Sequence, residues 1–311
     1  MIRLLGRRLL YLLLTMLVVS LVLFLLFELS PETVAADALG PYASRQQRLL
    51  WLEQHGYFEP AWWRYLTWLG HALTGDFGQS RVFSQPVARI LAIRLGNSAL
   101  LASAFFAILV PLSVTLGVLA GQREGSALDR VITVIAVVTT SIPPFASVVL
   151  LTAIFVFALG WLPGTSSMLD GFAWRELVLP VAVLVLYDLG YVTRMTRTAM
   201  AEVMASPYIR TAILKGLPRS RVVLRHALRN ALVTPLTVIL LQVNWLIGGV
   251  VVVEFFFAYK GFGSLILEAA LSQDLYLIEA STMVAVLIAV TTQTLADLGY
   301  TLLNPRLRLA A

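Results

Sequence analysis

The run from Leu9 to Phe27 carries no charged residue and no proline or glycine. Wound as a helix, it presents no polar face to water and approaches the roughly 20 apolar residues that cross a bilayer. Comparable runs recur along the chain. Only 13% of its residues are charged and 59% are hydrophobic, against about a quarter charged in a soluble globular chain. The sequence therefore predicts an all-α membrane protein with six transmembrane helices at Leu9–Leu29, Asn97–Ala120, Val131–Leu159, Leu177–Ala199, Ala231–Ala258 and Ile278–Leu303. The first run has no small-residue cleavage site before Pro31 and is read as a retained helix rather than a removed signal. With no cysteine, disulfides and thiolate chemistry are excluded.

Basic residues near the span ends set the orientation. One side receives fifteen, among them Arg3, Arg7, Arg8, Arg123, Arg130, Arg306 and Arg308, while the short loops opposite hold only Arg175 and Lys260. The positive-inside rule then puts both termini in the cytoplasm. The net charge of +6 is thus a matter of topology, and no nucleic-acid partner is implied. Residues 30–96 form an extracytoplasmic insertion, since long loops cross largely regardless of charge. Within it, Ser44–Gln54 and Pro60–Leu73 read as helices, and Trp51, Trp62, Trp63 and Trp68 suit either an interfacial belt or a docking lip for an external partner.

The third span holds Thr139, Thr140, Ser141, Ile142, Pro143 and Pro144. Two adjacent prolines remove two backbone donors, so the helix must kink or break near Ser141. Such a break serves either as a packing kink or as a lining of the translocation pathway, with Ser141 and Pro143 at the surface of that pathway in the second case. Ionisable residues inside spans are costly, which singles out Asp188 and Glu254, and less strongly Asp297, as buried paired acids or as pathway contacts. No phosphate-binding loop, zinc pair or nucleophile elbow is present, so no catalytic or metal-ligating residue is assigned.

The most distinctive local feature is Met200–Pro235. From Arg194 to Arg229 it has eight basic residues and one acid, Glu202. Helical spacing puts Tyr208, Thr211, Ala212 and Lys215 on one face against Ile209, Ile213 and Leu214 on another; Gly216, Leu217 and Pro218 stop that helix, and Val222–Leu232 starts the next, which runs into the fifth span. The result is a basic knob, suited to a groove in a cytoplasmic partner, to fixing topology, or to anionic lipid.

The run YIRTAILKGLPRSRVVLRHALRNAL resembles the loop of oligopeptide/dipeptide/nickel-type ABC-importer permeases, with Arg210, Thr211, Ala212 and Gly216 in the positions of the EAA-x-x-x-G signature. GDFGQS (Gly75–Ser80), SIPPF (Ser141–Phe145), LGWLP (Leu159–Pro163), Leu236–Gly263 and the ending LNPRLR resemble the same family in the same order. Three departures stand out: Arg210 replaces an acid, the later I-x-LP element reads His226, Ala227, Leu228, Arg229 and so lacks its proline, and LSPETVA replaces a PGDP-like turn.

The resemblance implies a type I importer fold spanning residues 1–311, with core helices in 97–303 and an ATPase-coupling loop in 201–229 that includes Tyr208, Arg210, Thr211, Ala212, Lys215, Gly216 and Leu217. It also implies a second homologous permease, two ATP-binding-cassette subunits holding ATP and magnesium, an extracytoplasmic solute-binding protein and the lipid of a bacterial inner membrane. No cofactor is expected in this chain. Peptides are the expected cargo, with nickel, oligosaccharides or opines as alternatives. A different class, an ion-coupled secondary transporter, would use Asp188 as its coupling acid. A membrane enzyme or receptor would need a catalytic constellation or a sensor domain.

Overall fold

A computed structural model describes residues 2–28, 31–40, 42–168 and 171–303. Arg306, Arg308, the LNPRLR ending beyond Leu303 and the Leu29 edge of the first expected span lie outside the described residues. Helices make up most of what is described, and the extended pairing there consists of one bridge, Gln79 to Pro86. Four helices are long and apolar enough to cross a membrane unbroken: α1 (Ile2–Glu28), α5 (Val87–Gly121), α8 (Trp174–Met204) and α14 (Leu275–Leu303). Two bent pairs bring the total to as many as six. The first joins α6 (Ala127–Ser141) to α7 (Pro144–Thr152) and its π-helical extension Ala153–Ala158 through a 98° bend; the second joins Arg219–Ala231 to Val233–Val243 through 48°.

The chain divides into two compact units. The first comprises residues 1–97 and 264–291. Its α1 is largely bare, with 11% of the apolar window buried. The contact face of α1 is built around Ser20, whose hydroxyl lies 2.8 Å from that of Tyr65, and Phe24, which meets the rings of Tyr65 and Trp68. From Pro31 the chain is helical again as α2 (Pro31–Leu39). Next, α3 (Arg45–Gln54) starts in a capping box: Ser44 Oγ accepts from the Gln47 amide, and Gln47 Oε1 accepts from the Ser44 amide. The amphipathic α4 (Ala61–Leu73) follows, entered through Pro60, whose missing N–H costs nothing ahead of a first turn. These two helices match the sequence expectation closely.

The GDFGQS segment pins the loop after α4 to the start of α14. Asp274, almost fully buried, accepts from Ser80 Oγ at 2.6 Å and from the Val82 amide at 3.1 Å, while Arg81 donates to the Ser272 carbonyl. Gly78 has φ +77°, and a Cβ there would press to 3.1 Å from the Tyr276 ring, so both its conformation and its contact call for glycine. Arg94, itself buried, pairs with Glu268 at 2.6 Å on α13 (Phe262–Ser272), a short helix that the span pattern did not single out.

The second unit comprises residues 98–263 and 292–311. Its axis is α8, with 67% of the apolar window buried, the most of any of the four long helices. Around it lie Leu101, Phe105 and Leu109 of α5, Val148 of α7, and Val253 and Phe257 at the end of α12 (Val233–Phe256). In lipid the driving force is close packing rather than escape from water, so small residues govern how near two backbones come. A Cβ on Gly190 would stand 1.9 Å from the Ala136 carbonyl oxygen of α6. On α5, Gly117 and Gly121 meet Thr196 and Met200 of α8 in the same way.

The observed helix bounds differ from the span edges for a simple reason. Hydropathy marks where lipid contact ends, whereas a helix continues wherever its backbone bonds are supported. Thus α5 begins at Val87 rather than Asn97, carrying Arg89 and Arg94 in its polar first turns, and α8 extends from Trp174 to Met204 rather than from Leu177 to Ala199.

Candidate functional site

The basic knob leaves α8 through Ser206 and Pro207. Proline suits a first helical turn, and α9 (Pro207–Leu214) begins there. Ile209 is fully buried and Ala212 nearly so, both in a cluster with Met200, Val222, Val223, Ala227 and Ala231. Leu217 packs against the same cluster. The sequence reading put Ile209 on the face of Ile213 and Leu214 and put Ala212 opposite; the structure corrects this. Ile209 and Ala212 share the inward stripe, three residues apart, while Ile213 (54%) and Leu214 (79%) are exposed.

Outward with them stand Tyr208, Arg210, Thr211 and Lys215. Gly216 adopts φ +79° and its amide donates to the Ile213 carbonyl, the left-handed stop that glycine makes cheaply. The return path is a short helix, Arg219–Arg221, then a π-helical turn, Val222–Ala227, then Leu228–Ala231. Arg219 donates to the Gln122 carbonyl at 2.8 Å, and Asn230 donates to the Tyr208 hydroxyl at 2.8 Å. The knob is therefore braced at both ends. Its outer surface sets apolar tips, Ile213, Leu214 and Leu224, among exposed Arg210, Lys215, Arg221, Arg225 and Arg229. Such an apolar centre with a cationic rim suits a protein groove with an acidic edge.

Behind the knob, Arg197 of α8 grips Asp129 of α6 through two bonds, Nε to Oδ1 at 2.7 Å and Nη2 to Oδ2 at 2.8 Å, with Glu124 at 3.4 Å. Asp129 also accepts from the Gly125 amide. Sequence separation hid this pair, since 68 residues divide its members.

At the SIPPF break the hydroxyls of Thr139 and Thr140 donate to the Ala136 carbonyl, and Ser141 donates to that of Val137. α6 stops at Ser141, and α7 starts at Pro144 in a new direction. Ser141 and Pro143 are exposed at this elbow. Asp188 is buried in α8, its Oδ1 accepting from Gln242 Nε2 at 2.5 Å, while its Oδ2 has no hydrogen-bond partner among the described residues. The nearby cations are engaged elsewhere: Arg194 donates to the Gly190 carbonyl and Arg197 holds Asp129.

Glu254 is fully buried where α12 turns back. It accepts from Ser98 Oγ at 2.6 Å, and that same oxygen accepts from the Phe262 amide at 2.8 Å. A Cβ on Gly261 would come within 2.0 Å of the Glu254 carboxylate, so the turn is wrapped directly around the acid. Glu254 is thus a buried, hydrogen-bonded acid, as one of the two sequence readings had it, and it anchors a turn that depth in a span does not reveal. Asp297 accepts from Gln293 one helical turn away.

The described residues thus provide helices long and apolar enough to cross a membrane, a buried α8 within the second unit and a braced cationic knob. The chain belongs to the family of binding-protein-dependent transport system inner membrane components, whose profile matches residues 113–309. It is 36% identical over 301 residues to a putative peptide transport system permease protein of Brucella abortus, covering 94% of this chain and 95% of that one. An oligopeptide transport system permease protein of Bacillus subtilis is 32% identical over 93% of this chain and 94% of its own length. A glutathione transport system permease protein of Salmonella paratyphi A is 33% identical over 97% of each. The chain is accordingly a multi-pass membrane permease component.

Proposed function

We propose that this chain is one of two transmembrane subunits of an ATP-binding-cassette importer that moves peptides across a bacterial inner membrane. The observation that carries the cargo class is end-to-end similarity to permeases whose names specify peptides, oligopeptides or glutathione. Its six crossings leave both termini cytoplasmic, residues 30–96 outside, and residues 201–229 in contact with an ATPase. A homologous permease completes the pathway and a solute-binding protein delivers cargo. Nucleotide and magnesium belong to the ATPases.

The coupling surface is the exposed side of α9: Tyr208, Arg210, Thr211, Lys215 and the tips of Ile213 and Leu214. The buried side makes the connection inward. Because Ile209 and Ala212 lock onto Met200 of α8 and onto the helical path entering α12, a displacement of α9 by its partner tilts both long helices together. Leu217 and Gly216 hold the knob's shape. Ser141 and Pro143 at the elbow and Asp188 on the axis belong to the pathway that this tilting opens and closes, and Glu254 keeps the turn after α12 rigid while it does so.

The native chain has no cysteine, which makes Lys215→Cys a clean single-site probe. Paired with a cysteine on the rim of the ATPase groove, it is expected to cross-link in assembled membranes. Reconstituted vesicles are expected to accumulate a labelled dipeptide only with ATP, ATPases and binding protein, and to do so in the presence of a protonophore. Protonophore-sensitive uptake without ATPases would instead make Asp188 the coupling acid of an ion-driven carrier.

A further inference from the structure

Within the first unit, α4 and the preceding loop enclose a recess against the first turns of α14. It consists of two adjoining cavities of about 380 and 430 Å³ that share Trp68, Tyr276 and Glu279. Glu279 is 7% exposed. Trp68 Nε1 donates to its Oε2 at 3.0 Å, and its Oε1 has no hydrogen-bond donor among the described residues. The walls are aromatic: Tyr57, Trp68, Tyr276 and, at the back, Phe24. Arg64 covers Tyr57, its guanidinium carbon 4.7 Å from the ring centroid. The Tyr57 phenol is pushed up to about 12, first by burial and then by Tyr276 and by the negative charge of Glu279, so the carboxylate's field reaches across the recess.

A carboxylate with one oxygen satisfied and the other facing a cavity walled by π-rings is a receptor for a cation. The ring quadrupoles attract positive charge at their faces, and the desolvated carboxylate supplies the point of attachment. A bare metal ion is a poor match, because no group of three or more His, Cys, Asp or Glu among the described residues is placed to hold one. A primary ammonium fits better: it is small, donates up to three hydrogen bonds and carries an organic stem that the aromatic walls accept.

We infer that this recess binds the primary ammonium of a solute and, resting on the peptide reading above, the free amino terminus of an incoming peptide, held by Glu279 between Trp68 and Tyr276. Tyr57 and Trp68 lie in the segment proposed to face outward, and Glu279 lies in the first turns of α14, where the last proposed crossing begins on that same side. Acetylating the amino terminus removes the charge and leaves the peptide otherwise intact.

The test uses the assembled importer in lipid nanodiscs without its soluble binding protein. Three probes are compared by equilibrium binding: alanyl-alanine, N-acetyl-alanyl-alanine and n-butylammonium. Glu279→Gln is the variant of choice, because its amide oxygen still accepts from Trp68 while the charge is gone; matching melting curves establish that it is folded. The free dipeptide is expected to bind at least tenfold more tightly than the acetylated one, and Glu279→Gln to bring it down to the acetylated level. Equal binding of the two dipeptides, or wild-type affinity in the folded variant, overturns the ammonium site even if ATP-driven dipeptide uptake is intact. If n-butylammonium binds in a Glu279-dependent manner but neither dipeptide does, the recess stands as an ammonium site and the peptide assignment falls. Should Glu279→Gln not fold, the wild-type comparison of free and acetylated dipeptide decides alone.

Discussion

Gly190 and Gly70 make opposite predictions for the same substitution. Both sit inside helices, where alanine is intrinsically favoured over glycine by about 0.5–1 kcal/mol. At Gly70 in α4 nothing lies within 4 Å of an added Cβ, so Gly70→Ala collects that gain undiminished. At Gly190 the added carbon would fall 1.9 Å from the Ala136 carbonyl oxygen and 2.3 Å from Thr140 Oγ1. The first of these is backbone and cannot rotate away. Real Cβ contacts below 3.0 Å are essentially unknown, so α6 and α8 must part by at least 1.1 Å (3.0 less 1.9) at that level. Overpacking of this kind costs typically about 1–3 kcal/mol, which outweighs the propensity gain. Gly190→Ala should therefore be destabilised by up to about 2.5 kcal/mol once that gain is subtracted, and Gly70→Ala stabilised by less than about 1 kcal/mol. Unfolding of the purified variants in a single detergent, by heat or by added SDS, reads both. A Gly190→Ala protein at least as stable as wild type would refute the close approach of α6 and α8 and the account of packing around the central axis.

Gly216→Val forces a β-branched residue into the left-handed region at a cost of about 1–2 kcal/mol, and it should abolish ATP-driven uptake while membrane insertion, checked by fractionation, is retained. Asp129→Asn leaves Arg197 with a neutral acceptor in a partly exposed pair; the expected loss is about 1–3 kcal/mol, read by the same unfolding assay. Asp274→Ala removes the acceptor for Ser80 and Val82, so the loop around Arg81 should become the first site cut in limited proteolysis of intact membranes, with a cutting rate indistinguishable from wild type counting against the clamp.

What the sequence disclosed and what it concealed follow from the range of the interactions. Apolar runs report on lipid, a local property, and so the long helices were legible. The two prolines at 143 and 144 and the glycine at 216 act on their own backbone, so the elbow and the end of α9 were legible as well. The inward stripe of α9 was not. A short helix buries whichever residues meet its neighbours, and here Met200, Val222 and Val223 selected Ile209 with Ala212 over Ile213 and Leu214. The partners of Glu254 and Asp129 were illegible for the same reason: Ser98 and Arg197 lie far away along the chain. The π-helical turns at 153–158 and 222–227 leave no mark in hydrophobic periodicity, because each only widens one turn.

The elbow at Ile142 and Pro143 divides the expected third span into two shafts that meet at 98°. Each shaft has 15 residues, α6 on one side and Pro144–Ala158 on the other, and a 15-residue helix reaches only about 22 Å, short of the roughly 30 Å hydrocarbon layer. Neither shaft bridges the layer alone, and no continuous ladder of backbone bonds stiffens the joint between them. The Arg197 grip fastens the α6 shaft at its far end, and Val148 seats the other shaft in the core around α8. With both shafts held against α8, a tilt of that helix carries the elbow along with it.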